Sequence, residues 1–562
     1  MTTYEPDART LEPPWPFTGR EDELDLVRRS LTGARHGIVV TGPSGRGKTR
    51  LVTEAVRGTD CARATGTPET RRLDFAAFAH LLPGEVSLHH AMRSLSAVRP
   101  LVVDDAHLLD DASAALVHQL AVHGRTRLVV IAADDGAPLP AAVSRLWTGE
   151  LLPRLALEPL PREETARLLT AGAGRTLEPL TVGRLHRLCG GDLRLLRELV
   201  GAVREGGLLT PVEGGDAWAW RGPVPVTAAV RERVAPALDR PGPGEREILQ
   251  RLAFAEPLPL RLDPLAPDDR GLDALERLEA DGLVQADDQD GVRLAHPLHG
   301  PVLRATAGKL RARRTARATD RLGPALAAER DTLARRIAAA DVRAVPTPVG
   351  EWLVAEGARV PAGYAAVRAR FARLRGEVRE AAAWAREGLR DAPDDPACRA
   401  ELALAQGESA DAVGPLPAGS VFARHADALA RRDGPALDRA AEALRQRGFL
   451  LFAAEAYAQA AHAHRDPGAA RTSRTRALAL ARRCQGARTP ALSGLVLGEL
   501  TARQRQIVAL AAAGLSNRQI ADRLTLSVRT VGNHLYGAYT RLGASDRARL
   551  PGLAEPPVGQ PV

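Results

Sequence analysis

Lysine and asparagine are almost missing from this chain. Its 562 residues carry 77 basic side chains, yet Lys48 and Lys309 are its lysines, and Asn517 and Asn533 its asparagines. Arg and Ala dominate, as a GC-rich coding bias would produce, so a rare residue kept against that bias points to a specific chemical demand. Cysteine is also scarce: Cys61, Cys189, Cys398 and Cys484 are scattered without CxxC spacing. That spacing suggests neither a zinc site nor a disulfide framework and leaves four thiols expected to be buried. No apolar run approaches the ~18 residues needed to cross a bilayer, so no membrane span is expected. The opening stretch MTTYEPDARTLEPPWPF puts acids and prolines where a secretory leader needs a basic start and an apolar centre. A cytoplasmic location follows as the expectation.

What is present is ordinary for globular domains, with 45% apolar and 26% charged residues. At ~100 to 200 residues per domain, the length predicts three to five domains. From residue 17 the order reads helix (EDELDLVRRSL), apolar strand (37 to 41), glycine-rich loop (GPSGRGKT) and helix. Apolar runs at 101 to 103 and 128 to 132, separated by a helical stretch at 112 to 122, predict a parallel α/β sheet. The pattern becomes helical from about 155, and GGDAWAWRGPVPV marks a boundary near 210 to 226. Beyond it, ALERLEADGLVQADDQDGVRLAHPL reads as a helix followed by a two-strand wing, which predicts a winged-helix-like domain over 226–325. Residues 326–490 lack convincing strands. There GEVREAAAWAREGLRDAPDDP and FLLFAAEAYAQAAHAHRDP, about 70 residues apart, resemble tetratricopeptide helices and suggest a degenerate repeat array that binds a partner. A basic stretch, LRARRTARATDR, is expected to be a solvated helix face.

Gly42, Pro43, Ser44, Gly45, Arg46, Gly47, Lys48 and Thr49 fit GxxxxGK[ST] between a predicted strand and a predicted helix. Glycines allow backbone N–H groups to curl around a phosphate, whose charge also favours the positive end of the following helix. Lys48 would reach the outer phosphates and Thr49 would give a hydroxyl to Mg²⁺. A compact ammonium suits that cradle better than a planar fork, which explains a lysine in an arginine-writing chain. In LVVDDAH, Asp104 is expected to serve the Mg²⁺ shell, and Asp105 to orient a water as the candidate catalytic residue. His107 is read as a solvated loop histidine.

GREDEL, GPSGRGKT and LVVDDAHLLDD together resemble the nucleotide-binding core of the STAND signal-transduction ATPases, over 17–210 with a winged helix to 325. The resemblance implies ATP or ADP as ligand and places Arg20 near it. Two departures favour binding over turnover. Asp134 and Asp135 follow the strand LVVIAA where the group commonly has a phosphate-sensing arginine, and the later glycine and proline signature reads Gly191, Asp192, Leu193.

Residues 500 to 550 show legible helix boundaries. Thr501, Ser516, Ser527 and Ser545 are candidate caps, and Gly514 and Gly543 candidate stops. Val531, Leu535, Ala538 and Leu542 form one apolar stripe, and Ile520, Ala521 and Leu524 another. Two short helices joined by a tight turn predict a helix-turn-helix. With the stripe inward, Arg529, Thr530, Asn533, Tyr536 and Thr540 face a major groove, where Asn can pair bidentately with adenine. Asn517, Ser527, His534 and Arg541 complete the candidate DNA-contacting set. Eight arginines against two aspartates over 501 to 550 agree with double-stranded DNA as partner. GLSNRQIADRL and LSVRTVGNHL resemble the LuxR-type helix-turn-helix, over 497–555. Gln504 stands where that family commonly has glutamate, and Gly532 where it commonly has a DNA-approaching lysine.

The expected architecture is therefore multidomain: a P-loop parallel-sheet module, a winged helix, a helical-repeat array and a carboxy-terminal four-helix reader. Together the resemblances imply a transcription factor gated by ATP or ADP with Mg²⁺. RNA polymerase and an inducer or protein on the helical region are the further partners expected, with oligomerisation in the active state. Two alternatives stay open: a LuxR-type regulator with a degenerate nucleotide site, and a signalling ATPase or scaffold with a vestigial reader.

Overall fold

Strands buried on both faces read as nearly continuous apolar runs, and this decides the first layer of the molecule. In the computed structural model, β1 (Gly37–Gly42) and β4 (Leu128–Ala133) are buried throughout. With β2 (Ala62–Thr65), β3 (Leu101–Asp104) and β5 (Arg154–Ala156) they form a five-stranded parallel sheet in the order β2-β3-β4-β1-β5. The structure describes residues 15–32, 37–84, 87–96, 100–123, 126–134, 139–212, 216–288, 290–308, 310, 321–407, 419–487, 489–492, 502–512, 514–524 and 526–542. Period-two alternation sorts each strand between two cores. Val39, Val103, Val130 and Ala132 pack with Leu116, Val117 and Leu146 of the helices Asp111–His123 and Ala141–Thr148. Ile38, Val40, Val129 and Ile131 pack on the other face, with Val27 of Glu21–Thr32 and Leu51 and Val52 of Lys48–Ala55.

After the sheet, the helices Arg162–Ala173, Pro179–Cys189 and Leu193–Glu205 lead into a hairpin of β6 (Leu209–Pro211) and β7 (Trp218–Trp220). Helices Ala228–Leu238, Pro243–Ala255, Asp269–Ala280 and His299–Thr306 then surround β8 (Leu260–Arg261), β9 (Val284–Ala286) and β10 (Gly291–Leu294). The wing has three antiparallel strands, in the order β8-β10-β9, where two were expected. The addition, β8, is only two residues long and too short to read from periodicity. One apolar core runs from Leu169 to Leu303 through these helices and strands.

The chain divides into two compact units, residues 1–318 and 319–562. In the second, helix pairs Ala362–Leu374 with Val378–Asp391, and Gly434–Gln446 with Leu450–Ala463, turn at Gly376 and Gly448, each at φ +88°. Glycine at the same place in both hairpins is the structural basis of the repeated texture. Arg368 is buried here between Glu380 at 2.9 Å and Glu351 at 3.5 Å, beside the Trp384 ring. Helices Ala502–Ala512, Asn517–Leu524 and Val528–Leu542 follow, closed around Ile507, Val508, Ile520, Val531, Leu535 and Ala538. Thr501, Gly543, Ser545 and the expected fourth helix lie outside the described residues, as do Asp135, Lys309 and most of the basic stretch.

Cys189, Cys398 and Cys484 are buried, but Cys61 is only half-buried. It precedes β2, which is the edge strand, and an edge has cover on fewer sides.

Candidate phosphate loop and nucleic-acid interface

The loop 42–47 leaves β1 at the carboxyl edge of the sheet and delivers the chain into the helix Lys48–Ala55. Gly45 and Gly47 take φ +81° and +86°, conformations that cost an L side chain roughly 1–2 kcal/mol. Gly45 has a second constraint, since a Cβ there would lie 2.1 Å from Asp192 Oδ1. Lys48 is buried, and its Nζ donates to the carbonyls of Gly42 (2.6 Å) and Pro43 (2.9 Å). Thr49 Oγ1 donates to Asp104 Oδ1 at 3.2 Å, although 55 residues separate them. Burial first, and the neighbouring Asp105 charge next, push the Asp104 carboxyl above its usual range. A hydroxyl beside a carboxylate of that kind suits Mg²⁺, and a buried lysine at a helix amino end suits a phosphate, so the residues fit a magnesium nucleotide.

Asp105 sits at φ 47° with its side chain about half exposed, and His107 Nδ1 lies 3.9 Å from it. His107 Nδ1 also accepts the Ala133 N–H at 3.3 Å, so it bridges the acidic turn to the end of β4 and is not a solvated loop residue. The periodicity of β3 gives no sign of this, because β4 reaches His107 only through the sheet. Asp110 caps the helix Asp111–His123 by accepting the Ser113 N–H at 2.7 Å. Arg20 is buried and donates to Glu23 and to the Glu158 carbonyl. That carbonyl follows Leu157, which lies against Gly42. Asp134 pairs with Arg154 at 3.2 Å; Arg154 comes from β5 and also donates to Thr41 Oγ1 at 2.8 Å.

The Gly191, Asp192, Leu193 segment meets the loop directly. Leu193 N donates to the Gly45 carbonyl at 2.9 Å, and Arg46 donates to the Gly190 carbonyl at 2.8 Å. Asp192 caps its own helix through the Arg194 and Leu195 N–H groups and pairs with Arg233. Ser44, Arg46, Asp192, Arg233, His296 and His299 line a cavity of about 290 Å³. The last three come from the winged-helix region and carry no motif of their own; only the tertiary fold brings them to the loop.

In the carboxy-terminal helices, Ser516 Oγ accepts from Gln519 N at 3.3 Å while Gln519 Oε1 accepts from Ser516 N at 2.8 Å, a reciprocal cap. Gly514 ends the preceding helix at φ +88°. Ser527 Oγ accepts from Thr530 N at 3.0 Å and lies 2.7 Å from Thr530 Oγ1, so both hydroxyls are committed to starting the third helix. Asn533 and Tyr536 are exposed on that helix, and Thr530, His534 and Asn517 are half-buried. The side chains of Arg529, Thr540, Arg541 and Leu542 lie outside what the structure describes. Gln504 is buried in this domain.

Residues 498–554 match the bacterial regulatory proteins of the luxR family. An HTH-type transcriptional regulator of Mycobacterium bovis is 43% identical over 74 residues, which is 13% of this chain and 8% of that protein. The regulatory protein SgaR of Hyphomicrobium methylovorum is 48% identical over 52 residues, 9% of this chain and 25% of that one. The matched part is thus a small fraction of these relatives. Among solved structures, a STAND protein with a tetratricopeptide repeat sensor from Pyrococcus horikoshii covers 94% of this chain and 77% of its own, at 14% identity and TM-score 0.26. A Walker-type ATPase of Pyrococcus abyssi covers 52% and 99%, at 14% identity and TM-score 0.34. What the first unit can bind follows from its own geometry. The three helices with their reciprocal cap and exposed third face, in the matched segment, are a LuxR-type DNA-binding helix-turn-helix domain.

Proposed function

We propose that the chain is a transcriptional regulator that binds ATP or ADP with Mg²⁺ and whose nucleotide state, together with a signal on the helical region, gates oligomerisation and binding to operator DNA. One observation carries the gating half. The loop that fits a phosphate is held through Gly45 and Arg46 to the 190–193 segment, and Asp192 ties that segment to Arg233 next to the winged helix. A phosphate in the cradle recruits Lys48 away from the Gly42 and Pro43 carbonyls, and the change reaches Arg233 through two contacts. Lys48 and the loop N–H groups hold the phosphates, Thr49 and Asp104 the metal, and Arg20 braces the loop from Glu158. Asp134, already paired with Arg154, supplies no cation to a terminal phosphate, which favours holding nucleotide over splitting it.

Asn533 and Tyr536, with Arg529, Thr540 and Arg541, form the DNA-facing set in this reading, with Asn517 and His534 at its margin. Ser527 and Thr530 act by fixing the start of the helix that presents it. RNA polymerase is the downstream partner, and the cytoplasm the site of action.

Titration of the purified chain with a fluorescent ATP analogue in Mg²⁺, beside Lys48→Ala and Asp104→Asn, tests the cradle. Lys48→Ala should weaken binding at least about tenfold, the loss expected when a charge-assisted contact worth ~1.5–3 kcal/mol is removed. Asp104→Asn should weaken only the magnesium-dependent part. Equal affinity in all three proteins would remove the site.

A further inference from the structure

The face that the third helix of the reader turns outward is not uniformly polar. Val528 is 49% exposed and Tyr536 is 76% exposed, although the described helices of the domain close around an apolar core of their own. Residues four apart lie in one row along a helix, so Val528, Gly532 and Tyr536 share a ridge. Between the two large side chains, a Cβ added at Gly532 meets no described atom within 4 Å. Glycine inside a helix is less stable than alanine, and this chain writes alanine freely. The position therefore holds a residue that local helix stability disfavours, and what glycine gains there is room for a close approach. The ridge begins at the first residue of the helix, the end from which base edges are contacted in helix-turn-helix proteins.

We propose that Val528, Gly532 and Tyr536 form an apolar notch that takes the 5-methyl group of a thymine in the major groove. This inference rests on the DNA-binding reading of residues 498–554. The ridge carries no charge with which to hold a phosphate, and the thymine methyl is the apolar group a major groove presents. Asn533, exposed beside the notch, has the donor and acceptor pair that matches adenine, so the two together favour an A·T-containing step. Sequence choice at that step comes from shape and methyl burial, where a cation at 532 would have drawn the helix to guanine or phosphate.

The test uses the full chain and a randomised duplex library to select a binding sequence, with and without ATP and Mg²⁺. Each thymine of the selected duplex is then replaced by deoxyuridine, which removes the methyl alone. At one thymine per half-site the wild-type chain should lose about three- to fivefold in affinity, the factor that burying one methyl group gives. Val528→Ser should bind the thymine and uracil duplexes equally, and Gly532→Lys should lose the uracil effect and move the preference at that step to G·C. Helix content by circular dichroism should be unchanged in both. Tolerance of uracil at every position by the wild type, with a sequence still selected, would overturn the notch and leave DNA binding intact. An unchanged selection with both variants would likewise overturn it and assign the face to a protein partner. Failure to enrich any sequence would remove the DNA-binding reading itself.

Discussion

Gly45 shows how much one residue can be asked to do. Its φ of +81° and the Asp192 carboxylate against its Cα are separate demands, and both exclude a side chain. Gly45→Ala is expected to destabilise the first unit by more than the ~1–2 kcal/mol that the backbone conformation alone costs. Made in an Asp192→Ala background, which itself loses the helix cap and the Arg233 pair, Gly45→Ala should cost only the conformational part. Urea denaturation followed by tryptophan fluorescence measures both, and a single variant as stable as wild type would contradict the described loop. The motif GxxxxGK[ST] already marked Gly45 in the sequence. The carboxylate that crowds it could not be read there, because 146 residues of chain lie between them.

Two elements carry buried ionisable groups with opposite chemistry. At the start of the helix His299–Thr306, burial and then the neighbouring His296 charge draw the His299 pKa down to about 4. Among the described residues its Nδ1 finds no hydrogen-bond partner. A histidine held neutral in the folded state and free to protonate when unfolded contributes stability that is present above about 6.5 and lost as pH falls toward 4. His299→Gln should flatten the unfolding free energy across that window, and an unchanged slope would place the titration elsewhere. In the helical region Arg368 is enclosed by Glu380 and Glu351. Arg368→Ala leaves those carboxylates without their cation and is expected to cost about 3–5 kcal/mol. Replacing Arg368 and Glu380 together by Met and Leu should cost less than the single change. These charges occupy helix positions where the apolar pattern predicts small residues, and only the facing helix supplies the reason.

At the scale of the whole molecule, the proposed gating predicts a linkage between the two ends of the chain. ATP with Mg²⁺ should shift the sedimentation profile toward larger species and raise operator affinity together, and Lys48→Ala should abolish both shifts. If the two readouts separate, nucleotide and DNA sites do not belong to one device. Salt gives an independent handle on the reader. Its affinity should fall steeply as salt rises, in proportion to the phosphates neutralised, whatever the nucleotide.

The amino-acid sequence by itself determined the elements that depend on local chemistry: the glycine loop between strand and helix, the apolar strands, and the serine and glycine punctuation of the reader. Each is set by φ preferences, hydrogen-bond capacity or a repeat of two or 3.6 residues, all of which act over a few positions. Tertiary structure alone decided that Thr49 meets Asp104, that Asp192 leans on Gly45, that Arg154 from β5 neutralises Asp134, and that Arg233, His296 and His299 line a cavity beside the loop. The physical reason is common to them. Charges and hydroxyls carry no periodicity of their own, so their partners are chosen by whichever elements the apolar faces bring together.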